Sequence, residues 1–179
     1  MAEGINRDGA EAASGTGDTR IRAGEDASAA QPRLAEIGLG SFAPYLMNRI
    51  MGRYNASLRR EMARLGWTTP KMRTLAVLSV IDGPTIRELA VYTVVEQSTL
   101  SRALDSLAGA GLIRREGDPS DSRVTRVFAT AEGRAAFDRF WPVMAQASAQ
   151  MFWGVPEAER IAFIGTLQKM LANIRKHDI

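Results

Sequence analysis

The chain contains no cysteine and only one histidine, His177. Without cysteine it can form no disulfide, no thiolate nucleophile, no thiol redox switch and no zinc site with cysteine ligands. A lone histidine this close to the end of the sequence is more often solvated than catalytic. These two shortages remove the thiol nucleophile and the commonest metal ligands, so we expect no metal site.

Long apolar runs are also missing. The longest extend over a few residues, as in Leu75–Leu78, and the first residues, MAEGINRDGA, have neither the basic nor the apolar region of a secretion signal. We therefore expect a cytoplasmic protein that does not enter a membrane.

The sequence has no phosphate-binding loop, no G-x-S-x-G and no H-E-x-x-H motif, and the turn-forming residues around Asp118 and Asp121 explain that acidic pair without catalysis. We expect neither an enzyme nor a bound cofactor.

The sequence does contain an uneven distribution of charge along its 179 residues, which carry a net charge of +3. Residues 1–40 hold four arginines and seven acidic residues, so the rest of the chain carries about +6. Residues 1–38 are also poor in aliphatic side chains, which predicts a disordered N-terminal tail. The basic residues of the remainder are mostly arginine, a residue suited to phosphate and base contacts.

A long amphipathic helix is predicted after the tail. From Ser41 to Leu65, apolar residues recur at steps of three and four, whereas the opposite side holds several arginines. The apolar stripe is wide for a helix that starts a small domain, so residues 39–66 are predicted to form a dimerisation helix. Thr69 and Pro70 then predict the N-cap and the first residue of the next helix.

Two short helices with a tight connection follow. Thr85 and Glu88 form a capping box that starts the first, and the second begins near Gln97, after a connection at Thr93–Val95. Leucines line one side of the second helix, whereas its first turns carry the polar residues Gln97, Ser98, Thr99, Ser101 and Arg102. This spacing predicts a helix-turn-helix whose polar end is available to contact DNA.

A charged hairpin comes next. Leu112–Arg115 and Val124–Phe128 are strand-like segments on either side of EGDPSDSR, which is rich in turn-forming residues. A hairpin after a helix-turn-helix makes a wing.

Thr130 can cap a further helix and another follows Pro156, both with apolar stripes and no sheet to cover. Residues 131–179 are therefore predicted to be helices that bury one another across a two-fold dimer.

In this order of elements the chain resembles the multiple-antibiotic-resistance regulator (MarR) family of winged-helix transcription factors. The resemblance covers roughly residues 40–176 and rests on TIRELA from Thr85, STLSR from Ser98 with GLI from Gly111, DPSDSR from Asp118 and TAEG from Thr130. It implies a mainly α fold with a small β-wing, in which residues 67–130 form the winged helix-turn-helix between N- and C-terminal dimerisation helices. It also implies a homodimeric regulator, expected to be a repressor, on a pseudo-palindromic operator in double-stranded DNA.

The resemblance further implies how DNA is read. In the family, the helix that matches residues 97–110 enters the major groove and the wing arginine, here Arg123, enters the neighbouring minor groove. Asp121 would hold the guanidinium of Arg123, and a narrow minor groove concentrates the negative potential that attracts it. The expected DNA contacts are Gln97, Ser98, Thr99, Ser101, Arg102, Asp121, Arg123, Arg126 and Arg73. A simple turn salt bridge between Asp121 and Arg123, and a solvated face for the helix, remain as alternatives.

A small aromatic or anionic effector is the last partner that the resemblance implies. Its pocket would lie between the dimerisation helices and the winged domain, with ordinary core packing as the alternative role for each wall residue: Met47, Met51, Tyr54, Trp67 and Met72.

A second function also stays open. Residues 84–128 hold six arginines and six acidic residues, and Glu96 stands near the expected phosphate path. A winged helix with this zero net charge also suits a protein partner in place of DNA.

Overall fold

The computed structural model describes residues 32–174. In chain order its elements are α1 (Leu34–Ile37), a 3₁₀ turn (Leu39–Ser41), α2 (Ala43–Arg64), α3 (Thr69–Leu78), α4 (Ile86–Thr93), α5 (Gln97–Gly109), β1 (Ile113–Gly117), β2 (Thr125–Ala129), α6 (Ala131–Met151) and α7 (Glu157–Ile174). This part of the chain is mainly helical with a small two-stranded wing, which confirms the predicted fold class. None of the helices described between residues 32 and 174 is long and apolar enough to cross a membrane.

The segment predicted as a tail contains ordered structure at its end. Leu34–Ile37 form one helical turn, in which the Arg33 amide donates to Glu36 Oε2 at 3.1 Å. A carboxylate that accepts a free N–H of the first turn is a normal way to start a helix. Residues 1–31 lie outside the described residues, so the prediction of disorder stands for them as a prediction.

The start of α3 differs by one residue from the sequence prediction. Thr68, with extended backbone angles, occupies the N-cap, and its carbonyl accepts the Met72 amide at 3.0 Å. Thr69 is therefore the first helical residue and Pro70 the second. Proline is tolerated at either position because the first amides of a helix have no acceptor within it.

The hydrophobic core lies between α3 and the elements that surround it. α2, α4, α5, the wing strands and α6 each contribute side chains to it, including Leu58, Met62, Met72, Leu75, Leu78, Leu89, Leu100, Leu104, Leu107, Ile113, Val127, Phe137 and Phe140. Burial of each large side chain contributes about 1.5–3 kcal/mol to the free energy of unfolding. The core therefore fixes α4, α5 and the wing against a common support.

The wing is an antiparallel hairpin in register from Ile113 opposite Ala129 to Gly117 opposite Thr125. It is also bonded to the loop that precedes α4, because the Val127 amide donates to the Pro84 carbonyl at 3.0 Å. Gly83 in that loop has φ of +66°, and a Cβ placed on it would lie 2.6 Å from the Phe128 ring. A residue larger than glycine would push the loop and the wing apart.

The junction between the wing and α6 is equally close. Thr130 Oγ1 accepts the Gly133 amide at 3.0 Å and donates to the Gly111 carbonyl at 2.7 Å, which confirms Thr130 as the cap. A Cβ on Gly133 would lie 1.9 Å from the Leu112 carbonyl oxygen. The Thr-Ala-Glu-Gly motif therefore fixes the start of α6 against the connection between α5 and β1.

The last helix stands apart from the core. α7 contains no buried residue in the single chain. Most of its large apolar side chains are exposed, as are others at the start of α2, along α2 and around the end of α6: Ile161, Phe163, Ile164, Met170, Leu171 and Ile174, with Phe42, Leu46, Ile50, Met51, Met151 and Trp153. An apolar surface of this extent is characteristic of an interaction site.

Candidate nucleic-acid interface

α5 separates its buried and exposed side chains as the sequence predicts. Leu100, Ala103, Leu104 and Leu107 are buried in the core. The opposite side of its first turns exposes the five polar residues that were expected to contact DNA: Gln97, Ser98, Thr99, Ser101 and Arg102. Because the helical repeat places residues three and four apart on one side, these groups form a continuous polar surface.

The helix-turn-helix geometry is set at both ends of α4. At its start, Glu88 Oε2 accepts the Thr85 amide at 2.7 Å and Thr85 Oγ1 accepts the Glu88 amide at 3.2 Å. The hydrogen bond from the Thr85 amide, followed by the hydrogen bond to the Thr85 side chain, lowers the pKa of the Glu88 carboxyl. At its end, Val94 adopts left-handed angles, φ 52° and ψ 52°, so the chain turns sharply into α5.

Glu96 occupies the N-cap position of α5, but its side chain accepts no capping hydrogen bond. The carboxylate is exposed beside the polar turns of the helix. It places a negative charge close to the surface expected to meet phosphates, whereas the helix N-terminus itself is positive.

Arg73, which was expected to contact DNA, is bonded within the chain. It is half-buried, and its Nη1 donates to the Thr93 carbonyl at 3.0 Å. Thr93 is the last residue of α4, where carbonyl groups lack helical partners and attract a cation. Arg73 therefore fixes α3 to the turn that sets the direction of α5.

The predicted pairing of Asp121 with Arg123 is present. Arg123 Nε donates to Asp121 Oδ1 at 3.0 Å and Nη2 to Oδ2 at 2.9 Å, while the Arg123 amide also donates to Oδ1 at 3.0 Å. The Arg123 side chain is 88% exposed. The two residues lie in the loop between the strands, so the turn brings their side chains together.

This pairing keeps both groups ionised. The hydrogen bonds from the Arg123 side chain, followed by that from its amide, lower the pKa of Asp121. The same carboxylate raises the pKa of Arg123. The wing thus presents a permanently charged guanidinium in one preferred orientation.

Arg126 lies in a different environment from Arg123. Its Nε donates to Asp118 Oδ2 at 2.5 Å and its Nη1 to the Gly83 carbonyl at 2.9 Å. Asp118 Oδ1 accepts the Ser120 amide at 2.8 Å and the Ser120 hydroxyl. The bonds from Ser120, and then the bond from Arg126, hold the pKa of Asp118 well below its ordinary value of 3.8.

The zero net charge of residues 84–128 conceals an uneven exposure of charge. Arg115 pairs with Asp105 at 2.8 Å, and Arg114 pairs with Glu116 while its guanidinium lies 4.3 Å from the Phe128 ring centroid. Arg87 and Arg102 are exposed, and neither forms a salt bridge to any residue in the 32–174 range. Arginine charge therefore remains on the surface beside the polar turns of α5.

The five residues expected to line an effector pocket occupy two environments. Met72 is buried in the core, and Tyr54 and Trp67 pack against it, with Trp67 5.3 Å from Phe140 between ring centroids. Burial raises the pKa of Tyr54. Met47 is half-buried and Met51 exposed on α2. Core packing thus accounts for three of the five, and the pocket itself stays a prediction.

Comparisons with known proteins agree on one family. The family model described as "MarR family" matches residues 65–124. The crystal structure of a MarR-family transcriptional regulator from Silicibacter pomeroyi is 59% identical, covers 83% of this chain and 100% of that chain, and superimposes with a TM-score of 0.79.

More distant relatives have specific names. Bordetella bronchiseptica BpsR, described as regulated in its DNA binding by 6-hydroxynicotinic acid, is 25% identical over 72% of this chain and 97% of that chain, with a TM-score of 0.63. The HTH-type transcriptional repressor IacR of Pseudomonas putida is 26% identical over 72% of this chain and 77% of that protein. With the helix-turn-helix, the wing and the near relative from Silicibacter pomeroyi, the chain belongs to the MarR family of transcriptional regulators.

Proposed function

We propose that this MarR-family regulator is a repressor that binds a pseudo-palindromic DNA operator as a homodimer. The observation that carries the proposal is the exposed polar surface of α5 next to a wing whose Arg123 is oriented and ionised. Each protomer would place α5 in the major groove and the wing in the adjacent minor groove. The two half-sites would lie about one helical turn, or roughly 34–36 Å, apart.

The polar turns of α5 suit a mixture of contacts. Hydroxyl and amide groups at Gln97, Ser98, Thr99 and Ser101 can bond base edges or phosphates, and about half to two-thirds of protein–DNA hydrogen bonds go to the backbone. Arg102 follows them on the same exposed surface. We propose that it anchors a phosphate or a guanine edge, both of which accept the guanidinium fork.

Arg123 suits the minor groove because its pairing to Asp121 orients it at little energetic cost. An exposed ion pair of this kind contributes little to stability, so DNA can displace or share it. The side chain nevertheless spends less conformational entropy on binding than a freely rotating arginine. The carboxylate thus directs the guanidinium without trapping it.

The exposed apolar surface of α7, α2 and the end of α6 supports the homodimer. An 18-residue helix with no buried residue gains little stabilisation within the described chain, where its Phe163 ring meets the Phe152 ring edge-on at 6.1 Å between centroids. Helices with exposed apolar stripes most readily bury them against a second copy related by a two-fold axis. Dimerisation of this kind also provides the two winged helix-turn-helix units that a palindromic operator requires.

A small aromatic or anionic effector is the finer part of the proposal. It is supported by BpsR, whose DNA binding is regulated by 6-hydroxynicotinic acid. The aromatic residues Tyr54 and Trp67 are only partly buried where α2 and the start of α3 meet the core. They would form the part of the pocket that stacks on an aromatic ring.

The test is a titration of full-length protein onto DNA from the region upstream of its own gene, measured by fluorescence anisotropy at several salt concentrations. We expect affinity to fall steeply as salt rises, because each phosphate contact releases counterions. Arg123→Ala should weaken binding at least tenfold and lower the salt slope by about 1. The control, Arg139→Ala, removes an exposed arginine from α6 and should leave binding unchanged.

The same titration decides against the alternative. If the wild-type protein binds no upstream fragment even at low salt, the regulator proposal fails and a protein-binding winged helix becomes the better interpretation. Wild-type affinity in Arg123→Ala would remove the wing from the mechanism. Addition of 6-hydroxynicotinic acid and related aromatic acids should weaken binding if the effector proposal holds, and no effect from any of them would contradict that part alone.

A further inference from the structure

Arg126 connects three separate parts of the chain. It lies in β2, it bonds Asp118 at the start of the loop between the strands, and it bonds the Gly83 carbonyl in the loop before α4. Gly83 and Arg126 are 43 residues apart in sequence. We refer to Arg126, Asp118 and the Gly83 carbonyl as the Arg126 bridge.

The bridge joins the wing loop to the helix-turn-helix. Asp118 uses one oxygen for Arg126 and the other for Ser120, so it fixes the guanidinium and the first turn of the loop that carries Arg123. The Asp118 amide also donates to the Val124 carbonyl at 2.8 Å, which closes that loop. Gly83 lies two residues before Thr85, the cap of α4.

Arg123 and Arg126 differ in how easily they can release their partners. The Arg123 side chain is 88% exposed and bonds a carboxylate two residues away, so its release rearranges only the turn. Arg126 is 41% exposed, and its Asp118 partner is only 7% exposed. Loss of Arg126 would leave this shielded carboxylate with its Ser120 hydrogen bonds and would free the Gly83 carbonyl, so it rearranges more than one turn.

We propose that Arg126 and Asp118 are positioning residues that set the height of the wing relative to α5, so that Arg123 and the polar turns of α5 meet DNA together. Arg126 thereby controls DNA affinity through the protein and contributes no phosphate contact of its own. The proposal rests on DNA binding by the winged helix as proposed above. It changes the expected role of Arg126, which the sequence placed among the DNA contacts.

The DNA arm of the test compares five variants of the full chain by anisotropy over a range of salt concentrations. Arg126→Ala should weaken binding at least tenfold with the salt slope of the wild type, whereas Arg123→Ala should lower that slope by about 1. Asp118→Asn should reproduce the loss of Arg126→Ala, and the two changes combined should cost no more than either alone.

Arg126→Lys separates positioning from charge. A lysine keeps the positive charge and would preserve most of a phosphate contact, but its ammonium cannot reproduce the planar fork that reaches Asp118 and Gly83 together. We expect this variant to bind as weakly as Arg126→Ala. Wild-type affinity in Arg126→Lys, or a salt slope lowered by about 1 in Arg126→Ala, would overturn the proposal.

Hydrogen exchange in the absence of DNA tests the bridge on its own. Arg126→Ala and Asp118→Asn should speed exchange of the amides of Ser120 and Val124 while the core amides of α3 keep wild-type rates, and Arg123→Ala should leave the Asp118 and Ser120 amides unchanged. Unchanged exchange in the first two variants would refute the bridge. If the wild-type protein binds no DNA, the proposed function fails, and this measurement still decides whether the bridge holds the wing.

Discussion

Val94 holds a backbone conformation that β-branched residues rarely adopt. It stands at the turn between α4 and α5 with φ of 52°, and its side chain is 80% exposed. The conformation costs roughly 1–3 kcal/mol for a residue other than glycine. The exposed side chain recovers little of that cost by packing. The strained backbone instead serves to turn the chain sharply into α5.

We expect Val94→Gly to raise the free energy of unfolding by about 1 kcal/mol, after the greater entropy of unfolded glycine is deducted. For a chain of this size the melting temperature should rise by about 2–4 °C. Val80→Gly is the matched control, because Val80 is equally exposed but has no positive φ. It should leave the melting temperature unchanged or lower it, and a fall in Val94→Gly as well would show that the valine is not strained.

At the scale of elements, the wing loop concentrates carboxylates whose ionisation the fold favours. The folded-state pKa values of Asp118 and Asp121 both lie below the ordinary value of 3.8. Between the folded and unfolded values, the unfolded chain binds more protons. The stability that these groups contribute is therefore fully present above about pH 4 and is lost as the pH falls through the folded values.

The melting temperature should accordingly fall as the pH is lowered below about 4, and it should fall less steeply in Asp118→Asn than in the wild type. The reason is that asparagine accepts hydrogen bonds without titrating. Differential scanning calorimetry across this range checks the slope. Parallel curves for the two proteins would mean that Asp118 does not titrate with folding.

The elements themselves follow closely from local sequence signals. The Thr85–Glu88 capping box, the apolar side of α5 and the Thr130 cap are local patterns, and each forms as predicted. The start of α3 was placed one residue late because proline is accepted at either of the first two helical positions. A single helical turn at Leu34–Ile37 was missed since four residues show no periodicity.

The site could be predicted only where its partners are near in sequence. Asp121 and Arg123 are two residues apart, and their pairing was foreseen. Arg126 and Arg73 bond carbonyl groups 43 and 20 residues away, at Gly83 and Thr93. Strand alternation places Val127 inward and Arg126 on the other side, but only the packing of the wing against the loop before α4 supplies that distant acceptor.

At the scale of the whole molecule, α7 is the long helix that the single chain leaves without a buried residue. Ile164 and Leu171 are exposed on one side of this helix, seven residues apart. In the proposed dimer they would be buried against the second copy. Since α7 has no buried residue in the single chain, changes to these two side chains should leave the core intact.

We expect the wild type to sediment as the proposed dimer and the double variant Ile164→Glu, Leu171→Glu as a monomer at the same concentration, because buried unpaired carboxylates oppose association. The matched control is Ala162→Glu with Asn173→Glu, which adds the same charge to the opposite side of the helix. A control that also dissociates would indicate general repulsion. A double variant that stays dimeric would place the interface elsewhere.

The close packing at the start of α6 means that a small rotation there moves the far end of the helix. Thr130 and Gly133 hold its first turn against the winged domain, and the helix then runs for 21 residues, or about 32 Å, towards α7. A tilt of about 10° at one end would displace the other by about 6 Å, roughly a sixth of one DNA turn. In the proposed dimer, the distance between the two winged helix-turn-helix units therefore depends on the angle at this joint. The close packing at the joint depends in turn on Gly133.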